Sequence, residues 1–230
     1  MRDTGLNRTY NYKHFTPEEY DFSVFHGLNV GESFFDADVF TFDGVARKLS
    51  DYVGGKPLVL EIGSMTCPMY ARSAREMKPM PSQYPGLNFA ILYVREAHPG
   101  ERVGQHETIE DKIAAAKMSC TKHAEERLTL VDNIDGTGHQ AYGSKPNSIY
   151  VIGTDGTILF RSIWNNAPQI VDVLQAISEE QKLIKRELDA RPPFSLLSVR
   201  TLMMGGWVAF FDFVTGLPRL IMSHRKAGNM

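Results

Sequence analysis

A cysteine at the junction between a predicted strand and a predicted helix is the residue best placed to do chemistry in this sequence. Cys67 follows the apolar run 57–63 and precedes Pro68, a residue type favoured at the first position of a helix. A thiol there lies beside unpaired backbone N–H groups and the positive end of the helix dipole, both of which favour the nucleophilic thiolate. Ser64 and Thr66, on the same loop, can donate hydrogen bonds to the sulfur or to a group that it attacks. The sequence therefore predicts a reactive thiol at Cys67.

The chain has one other cysteine, and its position limits the chemistry of the first. Tyr70 stands where a C-x-x-C motif would carry its second cysteine, which argues against dithiol–disulfide exchange at this loop. Chemistry at Cys67 then needs either an external thiol reductant or Cys120 as a remote resolving partner. Cys120 continues an apolar stripe on the helix predicted at 107–126, and this position favours a core role over a resolving one.

Three titratable residues follow the next buried strand, which is predicted at 87–94. Glu96 and His98 lie in the loop after that strand, and His106 opens the helix that comes next. Loops at the carboxyl ends of neighbouring strands border the ligand crevice of an open α/β sheet, so we expect these side chains near Cys67. Histidine titrates near neutrality, and a nearby carboxylate raises its pKa. We predict a proton relay of Glu96 and His98, which His106 could join.

The elements that must hold these groups alternate between strands and helices. Apolar runs and turn signals predict strands at 39–44, 57–63, 87–94, 128–131, 148–152 and 158–161, and helices at 68–78, 107–126 and from 170 through 188. Parallel strands with crossover helices, then a hairpin and a last helix, are typical of a thioredoxin-like α/β fold. We predict an N-terminal arm at 1–34, the thioredoxin-like domain at 35–191 and an apolar helical C-terminal extension at 192–230.

Pro146 lies just before the first strand of the predicted hairpin. In a thioredoxin-like fold a cis-proline usually occupies this place and faces the active-site cysteine, so we expect a cis peptide bond before Pro146. Met65 and Tyr70 flank Cys67 in the sequence. Together with Pro146 they are the candidate substrate-binding residues.

The extension at 192–230 is very apolar but is poorly suited to crossing a membrane. A spanning helix needs about 20 consecutive apolar residues. Here Arg200 and Asp212 bracket only a short uncharged stretch, and Gly205 and Gly206 interrupt it. We expect a helical hairpin packed on the domain, a contact in a homodimer, or a lid over the site, and packing is favoured.

Composition and charge narrow the class of protein. The 230 residues carry a formal net charge of −2 without a basic stripe, which argues against nucleic acid as a partner. Two cysteines cannot form the framework of a small secreted scaffold, and no apolar signal segment follows the first residues, so we expect a cytoplasmic protein. We expect neither a metal nor a tightly bound cofactor.

Three segments of the chain resemble the iodothyronine deiodinase family. Residues 63–68 (GSMTCP) are similar to the family's G-S-C-T-U-P loop, in which U is selenocysteine. Residues 93–99 (YVREAHP) resemble its Y-I-x-E-A-H-P segment, and residues 106–112 (HETIEDK) resemble its H-x-S-L-E-D-R stretch. Further matches follow in the same order at 131–133, 141–143 and 149–152. The resemblance covers residues 35 to 180 of the chain.

This resemblance implies a reductive dehalogenase that acts on a small aromatic, iodothyronine-like substrate with an external thiol as reductant. Cys67 takes the selenocysteine position, and the residues that match active-site positions of the family are Ser64, Thr66, Glu96, His98 and His106. By the same resemblance, the Cys67 thiolate attacks the halogen and a Glu96/His98 relay protonates the ring carbon. A sulfenyl halide then remains on Cys67, and Cys120 or an external thiol reduces it.

Other functions stay open on the same residues. Peroxiredoxin-like thiol peroxidases resemble P-x-x-x-[TS]-x-x-C; Ser64 satisfies the hydroxyl position, but Leu60 stands where the proline belongs, which ranks this function second. A binding or scaffold protein that kept the fold is a third alternative. A redoxin repurposed in a biosynthetic pathway, with a larger aromatic substrate, is a fourth.

Overall fold

A mixed sheet forms the centre of the molecule. The computed structural model describes residues 10–19, 22, 25–181, 187–190 and 195–228. Its strands are β1 (Asp38–Phe40), β2 (Ala46–Lys48), β3 (Leu58–Gly63), β4 (Asn88–Tyr93), β5 (Leu128–Asp132), β6 (Ile149–Ile152) and β7 (Ile158–Ser162). They form one sheet in the order β2-β1-β5-β4-β3-β6-β7, in which β3, β4 and β5 are parallel. Strand β6 pairs antiparallel with β3 and with β7.

Strand β3 is the central strand on which the site is built, and every one of its residues is buried. Leu60 and Ile62 pack on one face of the sheet with Leu49 and other apolar residues. Val59 packs on the opposite face with the two helices that cover β3 and β6. Because both faces are covered, the run is apolar at every position except Glu61, as is typical of buried parallel strands.

Most of the helices follow directly from local sequence signals. Their bounds are α1 (Pro68–Met77), α2 (Met80–Gln83), α3 (Ile109–His123), α4 (Thr137–Ala141), α5 (Ala167–Ser178), α6 (Leu196–Gly205) and α7 (Trp207–Lys226). Helix α1 begins with proline at its first position, directly after Cys67. Helix α3 begins with a capping box, in which the Asp111 N–H donates to the Thr108 hydroxyl at 3.1 Å. The predicted thioredoxin-like arrangement of β3-α1-β4-α3 followed by β6-β7-α5 is confirmed.

Helix α5 is shorter than the sequence pattern predicts, and the prediction of one helix through Leu188 was wrong. It ends at Ser178, because Glu180 adopts a left-handed conformation with φ 53°. The Gln181 N–H then donates to the Ala176 carbonyl at 2.8 Å, and the Glu180 N–H donates to the Ile177 carbonyl at 3.1 Å. These two bonds form a Schellman motif, which closes the helix. Residue 184 of the predicted stripe lies outside the described residues.

The prediction of a cis bond before Pro146 was also wrong. The peptide bond that joins Lys145 to Pro146 is trans, and the proline ring is buried. An X-Pro bond has only a small intrinsic preference between its two forms, so position in the chain does not fix the isomer.

The apolar extension forms a helical hairpin that packs on the rest of the molecule. Helix α6 packs against α1 and α7, and the joint between α6 and α7 is Gly206, with φ 104°. That backbone conformation is accessible to glycine and strongly disfavoured for other residues. In the described part of the chain, no helix has both the length and the apolar character needed to cross a bilayer.

Candidate active site

Cys67 caps the N-terminus of α1. Its backbone is extended (φ −85°, ψ 114°), and its Sγ accepts a hydrogen bond from the Tyr70 N–H at 3.5 Å. The strand-to-helix junction that the sequence predicts is therefore present, with the sulfur facing the first turn of the helix. This is the geometry in which backbone N–H groups stabilise a thiolate.

In this conformation, burial raises the pKa of the Cys67 thiol by more than the backbone N–H groups lower it. Cys67 is only 2% exposed. Its burial raises the pKa of the thiol to about 12, although the N–H groups of Tyr70 and Met69 act in the opposite direction. The carboxylates of Glu61 and Glu96 raise this pKa further. The thiol therefore keeps its proton at neutral pH while the site is closed, and the expected low-pKa thiolate is absent from this conformation.

Glu96 is the centre of the hydrogen bonds that surround the cysteine loop. Its carboxylate accepts from the Thr66 N–H at 2.8 Å and from the Thr66 hydroxyl at 2.6 Å. It also accepts from the hydroxyl of Tyr93, which the sequence analysis did not single out. Tyr93 is the last residue of β4 and belongs to the same 93–99 segment as Glu96. Tyr93 and Glu96 are three residues apart in this segment, and this spacing could have identified Tyr93 as a partner of Glu96.

Two further hydrogen bonds join the 95–98 loop to the cysteine loop. The Ala97 N–H donates to the Ser64 hydroxyl at 3.1 Å, and the His98 N–H donates to the Thr66 hydroxyl at 3.0 Å. Ser64 and Thr66 thus fix the position of the neighbouring loop and do not contact the sulfur through any hydrogen bond that the described structure contains. The two loops form one rigid unit behind Cys67.

His106 lies on the far side of Glu96 from the cysteine loop. Its Nε2 is 3.5 Å from the Glu96 carboxylate, and both side chains are buried. Burial alone would raise the pKa of Glu96, but the interactions with His106, Thr66 and Tyr93 lower it below its ordinary value. Glu96 is therefore a buried carboxylate held in its charged form by several donors.

His98 lies in an apolar environment. Its ring centroid is 4.4 Å from that of Phe15 and 5.3 Å from that of Phe213. Burial lowers the pKa of His98 to about 3, against the smaller opposite effect of Glu96, so the imidazole is neutral at physiological pH. Its Nδ1 is buried and has no hydrogen-bond partner among the described residues. Glu96 and His98 are joined only indirectly: the Thr66 hydroxyl donates to the Glu96 carboxylate and accepts from the His98 backbone N–H.

The three candidate substrate-binding residues all lie in the interior. Met65 packs with Tyr93 and residues of α3, and its carbonyl accepts from His123 Nε2 at 2.9 Å. The Tyr70 ring lies so close to Gly63 that a Cβ on the glycine would come within 2.6 Å of it. Pro146 is buried as well. None of the three is open to solvent in this conformation.

A buried ionic cluster that the sequence analysis did not identify lies below the cysteine helix. Arg127 forms ion pairs with Glu61 on β3 at 2.7 Å and with Glu125 at 2.5 Å. Ser73 on α1 donates to Glu61, and the Asn147 amide donates to Glu61 at 2.9 Å. A single glutamate within the apolar run of β3 was the signal for this cluster, since a buried carboxylate needs a partner.

Cys120 is a free thiol, as is Cys67. It is half-buried on α3, and its Sγ is 3.4 Å from the Thr129 hydroxyl on β5. Burial raises the pKa of Cys120 above its ordinary value. A resolving role for Cys120 stays a prediction.

A cleft of about 1020 Å³ reaches His106 from the surface. Its walls come from the arm, at Tyr10, Tyr12 and His14, and from the loop before α3. Within the residues that the structure describes, no three His, Cys, Asp or Glu side chains are grouped so as to hold a metal ion.

Comparison with known proteins gives a consistent family match. The sequence model of the iodothyronine deiodinase family matches residues 9–173. Thyroxine 5-deiodinase of sheep is 29% identical over 126 residues, which are 50% of this chain and 42% of that protein. Thyroxine 5-deiodinase of chicken is 27% identical over 140 residues, 56% of this chain and 54% of that protein. The match thus spans about half the length of these relatives.

Solved structures show the same fold at low sequence identity. An uncharacterised conserved protein from Geobacillus kaustophilus has a TM-score of 0.57 at 16% identity and covers 71% of this chain and 89% of its own. The thioredoxin domain of a thiol-disulfide oxidoreductase from Bacteroides vulgatus has a TM-score of 0.50 at 11% identity, with 64% and 99% coverage. These similarities support the thioredoxin-like fold alone.

Proposed function

Because this chain belongs to the iodothyronine deiodinase family, we propose that it is a thiol-dependent oxidoreductase that removes a halogen from an aromatic substrate, with Cys67 as the nucleophile. One observation carries this proposal. The cysteine at the N-cap of α1 directly follows Thr66, whose N–H and hydroxyl both donate to a buried, charged Glu96 that also contacts Tyr93 and His106. A thiol and a buried chain of proton carriers are the two components that the reaction needs.

In the first step the Cys67 thiolate attacks the halogen along the carbon–halogen axis. A sulfur–halogen bond forms, and the carbon–halogen bond breaks with its electron pair left on the ring carbon. That carbon takes up one proton. The aromatic ring is reduced by two electrons in total, and the sulfur of Cys67 is oxidised to a sulfenyl halide.

The charged Glu96 carboxylate takes the proton that the Cys67 thiol loses on becoming the nucleophile, and it passes that proton to the ring carbon. The carboxylate is held in place by Tyr93 and Thr66, and His106 joins it to the cleft of about 1020 Å³. To His98, which is neutral and next to the cysteine loop, we assign a contact with the substrate ring. A neutral imidazole can donate a hydrogen bond without the cost of burying a positive charge.

An external thiol returns the enzyme to its starting state. One thiol attacks the Cys67 sulfur, releases halide and leaves a mixed disulfide. The second thiol of the same dithiol reductant then attacks the sulfur of the first, and the Cys67 thiol leaves. If Cys120 resolves instead, it attacks the Cys67 sulfur and releases the reductant thiol, and a further dithiol reduces the resulting Cys67–Cys120 disulfide. In sum, one aryl halide and two thiols give one arene, one disulfide and one hydrogen halide.

The experiment that tests this function measures halide release. Purified protein receives thyroxine or a smaller iodinated phenol together with a dithiol, and iodide is followed with an ion-selective electrode. We expect iodide release that the Cys67→Ser variant lacks and the Cys120→Ser variant keeps in excess dithiol. Hydrogen peroxide is given in a separate assay. Rapid Cys67-dependent peroxide consumption without iodide release would refute dehalogenation and support a thiol peroxidase.

A further inference from the structure

The ring of His98 is enclosed by two segments that come from opposite ends of the chain. Phe15 belongs to the N-terminal arm, and Phe213 belongs to α7. The two phenyl rings are also in contact with each other, with centroids 6.4 Å apart. Both belong to one apolar cluster that includes Leu202 of α6 and Trp164, which follows β7. Aromatic side chains therefore fill the space directly beside a candidate active-site residue.

The arm and α7 are joined to each other by contacts along their length. His14 Nδ1 is 3.2 Å from the Asp212 carboxylate. Four residues later in the arm, Glu18 forms an ion pair of 2.7 Å with Arg219. We call the arm residues 10–19 together with α6 and α7 the cover, because they pack together and contact the His98 ring.

The cover is attached to the loop that carries His98. The Glu101 carboxylate accepts from the N–H groups of Trp207 and Val208, at 2.6 and 3.0 Å, and thereby caps the N-terminus of α7. The Arg102 N–H donates to the Gly205 carbonyl at 3.0 Å. On the arm side, the Tyr12 hydroxyl donates to the Ala97 carbonyl at 2.8 Å.

The cover leaves polar groups beneath it without partners. His98 Nδ1 and Trp164 Nε1 are buried and make no hydrogen bond within the described residues, and the Trp164 ring stacks on His224 of α7 with ring centroids 5.3 Å apart. Natively buried polar groups almost always have a partner. A cavity of about 530 Å³ adjoins the same region and is lined by Trp164 and by Ala227 after the end of α7. The cover therefore supplies apolar rings to this space but does not satisfy its hydrogen bonds.

We propose that the space filled by the Phe15 and Phe213 rings against His98 is a binding subsite for an aromatic ring of the substrate, and that the cover withdraws to admit it. The inference rests on the proposed function and adds to it the place where the substrate ring binds. A ligand ring of similar size and apolar character can replace the phenyl contacts with His98. A ligand that also carries a hydroxyl, amino or carboxylate group can bond the unpartnered atoms, which the phenylalanines cannot do.

The test measures how fast iodoacetamide alkylates Cys67 in the native protein, with the product located by mass spectrometry. Phe213→Ala and, separately, Phe15→Ala remove one ring of the cover. Removing a ring lets solvent reach the His98 loop, which is bonded to the hydroxyl groups of the cysteine loop. We therefore expect each variant to accelerate alkylation of Cys67 at least about tenfold, which corresponds to a fall of one unit in the pKa of this thiol. Phe211→Ala is the matched control, because Phe211 lies on the same helix and is 57% exposed.

Cys120 reports on general loosening of the fold in the same sample, since it is half-buried outside the cover. We expect its alkylation rate to stay at the wild-type value in all variants. Unchanged labelling of Cys67 in both ring-removal variants would overturn the proposal. Equal acceleration of Cys67 and Cys120 would also overturn it, because the protein would then be opening as a whole.

A second experiment tests whether the space uncovered in Phe213→Ala binds an aromatic ligand. Thyronine, which carries no iodine, is added to Phe213→Ala during alkylation. We expect saturable protection of Cys67, whereas faster alkylation without any protection would overturn the assignment of the subsite. Protection in a protein that releases no halide would leave the subsite in place and refute only the proposed dehalogenation.

Discussion

Burial and hydrogen bonding together set the charge of Cys67 and of the titratable groups in the neighbouring loop. Cys67 is protonated, with its pKa raised to about 12 by burial, while Glu96 is charged and His98 is neutral. Glu96 stays ionised although it is fully buried, because it accepts hydrogen bonds from Thr66 and Tyr93 and lies beside His106. Opening the site would restore solvent to the sulfur and lower the pKa of the thiol.

We expect Glu96→Gln to reduce the rate of iodide release by about 100-fold or more, because the amide cannot carry the proton that the ring carbon needs. The amide oxygen can still accept from the Thr66 N–H, so the loops should keep their positions. The measurement is kcat for iodide release in excess dithiol. Glu107→Gln, an exposed carboxylate one residue after His106, is the control and should retain the wild-type rate. Wild-type kcat in Glu96→Gln would remove Glu96 from the relay.

We expect the free energy of unfolding to fall as the pH is lowered from 6.5 towards 4, with His98 responsible for part of the slope. In the unfolded chain this imidazole binds a proton at its ordinary pKa of 6.5, whereas in the folded chain burial lowers that pKa to about 3. Between these two pKa values the unfolded chain binds a proton that the folded chain does not. The free energy of unfolding therefore falls by up to about 1.4 kcal/mol for each unit by which the pH is lowered, for this one group.

Urea denaturation at pH 7 and pH 5 measures that slope. His98→Phe keeps the ring contacts with Phe15 and Phe213 and removes the titration, so its slope should be smaller than that of the wild type. His26→Phe, at an exposed position, should leave the slope unchanged. Identical slopes in wild type and His98→Phe would contradict the account of a neutral, buried His98.

Among the elements, the pairing of β3 with α1 sets the position of Cys67. Gly63 ends β3, and the Tyr70 ring from the first turn of α1 lies directly against it. A side chain at residue 63 would push the ring, and with it the first turn of the helix, away from the sheet. Tyr70, at the position that a second cysteine holds in a C-x-x-C motif, thus packs in the interior against Gly63.

We therefore expect Gly63→Ala to lower the free energy of unfolding by roughly 1–3 kcal/mol, the usual cost of overpacking a core. Gly86→Ala is the matched control, because a Cβ on Gly86 meets no atom within 4 Å. Thermal or urea unfolding of both variants measures the difference. Equal effects at the two glycines would show that Tyr70 can move aside without cost.

The sequence predicts the bounds of strands and helices well wherever they depend on neighbouring residues alone. Strand β3 and the start of α1 follow from an apolar run and one proline, and they occur within a residue or two of the predicted positions. The end of α5 was predicted ten residues too late, because an apolar stripe continued while Glu180 adopted an unexpected left-handed conformation. The isomer at Pro146 depends on tertiary packing, which no local pattern records.

The contacts of the site were harder to predict than its residues. Cys67, Glu96 and His98 can be identified from their types and spacing, but the bonds from Thr66 and Tyr93 to Glu96 depend on how two loops meet. The Arg127 cluster depends on a contact between residues that are 66 positions apart in the chain. The enclosure of His98 by Phe15 and Phe213 joins the two ends of the sequence, where no periodicity indicates a partner.

At the scale of the whole molecule, the cover is attached to the domain by the packing of α6 on α1, by a buried apolar cluster and by hydrogen bonds to the loop that carries His98. Among these hydrogen bonds, the Glu101 carboxylate caps α7 at an exposed position. We expect Glu101→Ala to accelerate amide hydrogen exchange at residues 207–210 and to leave exchange in β3 unchanged, because the loss is confined to the helix end. Exchange followed by mass spectrometry measures this, with Glu107→Ala as control. Unchanged exchange at 207–210 would show that Glu101 does not hold the cover.

The most direct test of the central claim is a single turnover without any reductant. The protein is mixed with one equivalent of thyroxine, iodide is measured, and the protein is then unfolded and alkylated with iodoacetamide for mass spectrometry. We predict that water or Cys120 displaces iodide from the Cys67 sulfenyl iodide, so that iodide appears at no more than one equivalent and Cys67 loses its alkylation in proportion. The state of Cys120 reports whether it resolves the oxidised sulfur. Release of iodide with Cys67 still fully alkylated would contradict Cys67 as the nucleophile.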